Sequence, residues 1–140
     1  MKFLLLFVTL FVSCFSFSQN EINLSQKELI TDVQYSITRR SKKIRKSTLF
    51  VKGDSVNVFG KYDSWHYKVD SVIVNTKEEF EGIVLGGHYL SESPSKTHIK
   101  ITKDFYYINR VGFLNTRSWC ITYDFVNEFE SNLLKSGVSF

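Results

Sequence analysis

Few residues in this chain have the type and spacing to do chemistry. The histidines are His66, His88 and His98. A metal site needs two of them on one face at i,i+2 or i,i+4, or cysteine companions at short spacing, and neither pattern occurs. Cys120 would need a helix N-terminus or a cation to stabilise its thiolate as a nucleophile. It lies instead between Trp119 and Ile121, in an apolar run that reads as a strand interior. Glu78, Glu79 and Glu81 supply carboxylates, but glycosidase chemistry needs a pair about 5 to 9.5 Å apart across a cleft. Clustered glutamates before a strand read as a solvated turn. The glycines of Gly82-Ile83-Val84-Leu85-Gly86-Gly87 lack the lysine and following helix of a phosphate loop, and so read as a turn that ends a strand. No catalytic residue and no cofactor or metal site is assigned.

Two groups of residues point to binding instead. Arg39, Arg40, Lys42, Lys43, Arg45 and Lys46 fall within eight positions, and the rest of the chain is mildly acidic. On a helix, positions 39, 42, 43 and 46 would share a face able to reach phosphates. The second group is aromatic. Trp65 and Tyr67, with Phe105 and Tyr107, sit at alternate positions in segments of strand character, where a sheet face could hold a hydrophobic ligand or a partner.

The N-terminus supplies the expected location. Lys2 precedes an apolar run from Phe3 to Val12, and Ser16-Phe17-Ser18 has the small-x-small form that a signal peptidase accepts. Residues 1–18 therefore read as a cleaved export signal, leaving a single domain at 19–140 with no transmembrane segment. The run Phe3–Phe17 is shorter than the roughly 20 apolar residues that span a bilayer. Phe11-Val12-Ser13-Cys14 is similar to a lipobox, with Phe11 where that motif carries leucine, so acylation at Cys14 is the alternative. After cleavage Cys120 stands alone, and the domain must fold on its core without an internal disulfide. An exported protein meets little nucleic acid, so the partners expected for the basic run are anionic envelope surfaces or another protein.

The elements that must position these residues follow from hydrophobic period. Ser25-Gln26-Lys27-Glu28 has the capping-box form, and Leu29, Ile30, Val33 and Ile37 keep helical spacing, which predicts a helix over 26–38. A competing reading makes Val33–Ile37 a strand by alternation. After Ser47 the period becomes 2. Thr48–Lys52 and Ser55–Phe59 flank the hairpin signal Gly53-Asp54. Strands follow at Trp65–Asn75, Phe80–Leu85, Thr97–Thr102, Phe105–Val111 and Trp119–Tyr123, with loops at 90–96 and 112–118. Phe125, Val126, Phe129 and Leu133 restore helical spacing, with Asp124 as the expected N-cap and Gly137 as the stop.

The expected fold is mainly β with flanking helices. It has six to eight short antiparallel strands in a compact sheet or partly closed barrel, between helices near 26–38 and 125–135. One helix across an open sheet is the alternative. The function these features suggest is a non-enzymatic binding or interaction module of the cell envelope, exported to the periplasm, the outer membrane surface or the medium. A small secreted hydrolase-like enzyme is the alternative.

Overall fold

The computed structural model describes residues 20–88, 95–110 and 117–137. The signal-like segment, Cys14 and most of both expected loops at 90–96 and 112–118 lie outside them. Eight strands follow one another: β1 (Glu28–Ser36), β2 (Ser41–Lys52), β3 (Ser55–Phe59), β4 (Ser64–Asn75), β5 (Glu79–His88), β6 (Ser95–Thr102), β7 (Phe105–Arg110) and β8 (Arg117–Ile121). A 3-10 turn at Tyr123–Phe125 then leads into helix α1 (Val126–Lys135). Each strand pairs antiparallel with the next, and β8 returns to β1, so the sheet closes into a barrel. Closure removes the exposed edges that an open sheet would present.

The alternating segments become strands as their periods require. Leu49 and Val51 face Val58 and Val56 across β2–β3, and Gly53 takes a positive φ (58°) in the connecting turn. Ile99 and Ile101 point inward from β6, where Phe80 and Val84 meet them from β5. The N-terminal segment plugs this end of the barrel. Ile22 and Leu24 are buried in the same cluster, and the Ile22 and Ser25 amides donate to the carbonyls of Gly53 and Lys77 at 2.9 Å each.

The helix expected over 26–38 is absent: that stretch is β1. Ser25 and Glu28 form no capping box, because the Ser25 amide is taken by Lys77 instead. The helical spacing was produced by a strand that changes faces. Thr31 pairs with Ser47 and Val33 with Ile44, leaving Asp32 alone opposite Arg45 and Lys46. Before this shift Leu29 and Thr31 are buried toward the barrel interior. After it, Val33 and Tyr35 are buried outside the barrel beneath α1, and Gln34 and Ser36 turn inward. Helices therefore do not flank the sheet at both ends. The open-sheet alternative is overturned by the β1–β8 pairing.

Smaller corrections have similarly local causes. β5 does not stop at Leu85 but runs through Gly86 and Gly87 to His88. Gly86 pairs with Tyr67 at φ 142°, and a Cβ there would meet the His66 carbonyl oxygen at 2.0 Å. Glycine lets the two strands approach rather than ending one of them. β8 ends at Ile121, two residues early, because Tyr123–Phe125 winds into the 3-10 turn. Asp124 lies within that turn, and Phe125 occupies the N-cap with no side-chain bond. Helix α1 otherwise spans nearly the expected residues. Ile73 is exposed although it follows Trp65, Tyr67 and Val69 at alternate positions of β4, since the β4–β5 register shifts twice between Val69 and Val74.

Candidate ligand-binding site

An eight-stranded barrel is just wide enough to be filled by side chains or to hold one small ligand. This barrel does each at a different end. Below, apolar side chains pack solidly against Ile22 and Leu24. At mid-height a chain of hydroxyls crosses the interior: Thr31 Oγ1 to Ser47 Oγ at 2.7 Å, and Ser47 Oγ to the Tyr106 hydroxyl at 2.9 Å. Burial raises the pKa of the Tyr106 hydroxyl well above its ordinary value, and the adjoining Cys120 raises it further. Burial likewise pushes the Cys120 thiol up, so it is held protonated.

Above this belt lies a cavity of about 270 Å³, open at the end that carries the β1–β2 and β3–β4 turns. Val58, Trp65, Tyr67, Tyr106 and Ile108 form its apolar wall, from β3, β4 and β7. Gln34, Ser36, Ser41, Ser118 and Cys120 supply polar positions from β1, β2 and β8. Arg39, Lys43 and Arg45 bring positive charge, and Asp63 is the one carboxylate on the wall among the described residues. A smaller lobe of about 80 Å³ adjoins it between Lys46–Ser47 and Gly60–Asp63. The lobe exists because β3 pairs with β2 only from Thr48 onward, which leaves Ser41–Ser47 paired to β1 alone.

The six clustered cations do not share one face, because they lie on a hairpin and not on a helix. Strand alternation carries Lys43 and Arg45 to the cavity, and Arg39 reaches it from the turn. Arg40 sits in that turn at φ 47°, and Lys46 is exposed beside the small lobe. Lys42 points the opposite way, to Glu130 Oε1 of α1 at 2.7 Å, with its ammonium 5.6 Å from the centre of the Tyr35 ring. The Tyr35 hydroxyl donates to the same carboxylate oxygen. Burial and the Glu130 carboxylate push Tyr35 up to about 12, and the bonds from Lys42 and Tyr35 hold Glu130 below its ordinary value.

The four aromatic candidates also separate. Trp65 and Tyr67 line the cavity. Phe105 and Tyr107 pack on the outer surface against Trp119, with ring centroids 5.2 and 4.2 Å from it, and Phe105 also meets Phe129 of α1. The lining the sequence reading did not single out is Gln34, Ser36 and Ser118 from β1 and β8, with Val58 from β3 and Tyr106 and Ile108 from β7. Its signal was alternation: Gln34 and Ser36 alternate with Val33 and Tyr35, and Tyr106 and Ile108 with Phe105 and Tyr107.

Of the remaining candidates, His66, His98, Glu79 and Glu81 lie on the outer surface. His98 Nε2 is 2.8 Å from Glu81 Oε1 on the surface of β5–β6, and Lys100 is 2.8 Å from Glu79 Oε1. His66 contacts the Asn57 side chain at an exposed position. No group of three histidine, cysteine or acidic side chains converges among the described residues. No helix among them is long and apolar enough to cross a membrane. No family model, no curated protein and no solved structure matches the chain.

Proposed function

We propose that this protein is a non-enzymatic binding module of the cell envelope that takes a small ligand into the open end of its barrel. The observation that carries this reading is the cavity of about 270 Å³ walled by Trp65, Tyr67 and Ile108 above a solid core. Binding sites are typically concave and combine apolar walls with placed polar groups, and this cavity sets an apolar wall opposite a polar, basic one. The envelope location rests on the signal-like residues 1–18.

Trp65 provides the test. In a Trp119→Phe variant it is the sole tryptophan, and the dye 1-anilinonaphthalene-8-sulfonate should bind once per chain and accept energy from it. Ile108→Trp, which fills the cavity, should remove that binding. Dye binding that survives Ile108→Trp in a folded protein would place the site elsewhere.

A second reading is a protein partner on the outer surface. Ile30, Phe50 and Phe59 are 46%, 39% and 42% exposed on β1–β3, and the two phenylalanine rings lie 5.9 Å apart. Phe50→Ser with Phe59→Ser should then lower self-association or partner capture without changing dye binding in the cavity.

A further inference from the structure

We propose that the cavity selects a flat organic anion, with its charged group against Arg39, Lys43 and Arg45 and its ring system against Trp65 and Tyr67. This rests on the barrel cavity being the binding site and adds the chemical class of the ligand.

Among the described residues, three cations and a single carboxylate, Asp63, are gathered on the wall of one cavity. Lys42, Lys68, Lys96 and Lys100 each lie within 4 Å of a carboxylate. Among the described residues, Arg39, Lys43 and Arg45 have no such ion pair, although all three converge on one cavity. Placing cations together costs energy through mutual repulsion, and a negatively charged guest would relieve that cost. Arg45 is also positioned, since its Nη1 donates to Gln34 Oε1 at 3.4 Å. A planar guanidinium held this way suits the two oxygens of a carboxylate or sulfonate.

The opposite wall sets the shape of the uncharged part. Trp65 and Tyr67 are neighbours on one face of β4, and Tyr106 approaches from β7. Aromatic walls favour flat guests that stack or meet them edge-on. The volume corresponds to about nine waters of bulk liquid, room for one or two fused rings and not for a long acyl chain. These cations are exposed, which keeps the charge contact in reach of salt.

The test is calorimetric titration of the mature protein with 2-naphthoate, its neutral isostere 2-naphthamide and the cation 2-naphthylmethylammonium. Naphthoate should bind at least tenfold more tightly than the amide, and the cation most weakly. Raising salt should narrow the difference, and Lys43→Gln with Arg45→Gln should remove it while leaving amide binding in place. Equal binding of acid and amide would overturn the anion selection and leave the cavity reading intact. Binding of none of the three at millimolar concentration would overturn both. An acid preference that survives the double variant, folded by circular dichroism, would overturn the assignment to these residues.

Discussion

The Tyr35 hydroxyl donates its hydrogen bond to the Glu130 carboxylate, tying β1 to helix α1 on the outside of the barrel. Gln34, the preceding residue, faces the cavity. One strand therefore carries both the helix dock and part of the ligand wall, and β8, which also contributes to both, is hydrogen-bonded to it. What stabilises the dock therefore also holds one wall of the cavity in place.

Removing the shared acceptor should show this. Glu130→Gln keeps the shape but loses the charge that Lys42 and Tyr35 bond. With Glu130 about a third exposed, the expected loss is about 1 kcal/mol at pH 7 in urea unfolding. The folded state holds the Glu130 pKa low, so this stability is present above the ordinary carboxylate range and disappears as pH falls through the depressed value. Wild type and variant should converge in acid.

Tyr35 carries the opposite sign. Its pKa rises from 10.0 unfolded to about 12 folded, so the unfolded chain gives up its proton first as pH increases. The Tyr35 contribution to stability should be level below pH 10 and fall between 10 and 12. In Tyr35→Phe that part of the alkaline loss should vanish. A profile with the same alkaline slope in both proteins would contradict the assignment.

Phe129 is the anchor of the dock. It is buried and lies 5.4 Å from Tyr35 and 5.3 Å from Trp119 between ring centroids. Phe129→Ala should cost about 3 kcal/mol, the ordinary penalty for emptying an aromatic site in a packed cluster. Near-ultraviolet dichroism should lose the Trp119 contribution even where the barrel remains folded.

Gly86 should tolerate no side chain. Gly86→Ala forces alanine to φ 142° and drives its Cβ into the His66 carbonyl. A strained backbone of this kind costs about 1 to 3 kcal/mol before the clash is added. Gly87→Ala, with open space around its Cβ position, is the matched control and should be nearly neutral in thermal melts.

Cys120 reports on the cavity itself. Its thiol is buried and kept protonated at neutral pH. Methyl methanethiosulfonate should therefore modify the native protein far more slowly than the urea-unfolded chain. A ligand that occupies the cavity should slow it further, because Cys120 lies on the wall.

The sequence by itself determined the elements whose burial has one period throughout. Leu49 and Val51, Val56 and Val58, and Ile99 and Ile101 each face one interior along their strands, and Val126, Phe129 and Leu133 place one face of α1 on the barrel. Alternation or helical spacing is then a faithful copy of the environment. Only the tertiary structure decided β1, because Leu29 and Thr31 are buried inside the barrel and Val33 and Tyr35 outside it, so no single period runs through the segment. The clustered cations part onto different sides because they lie on a strand and not on the expected helix, so alternation turns Lys42 out to Glu130 while Lys43 and Arg45 turn in to the cavity. Closure too was decided there. It depends on pairs such as Tyr35 with Trp119, which are distant in sequence and leave no local pattern for either residue to show.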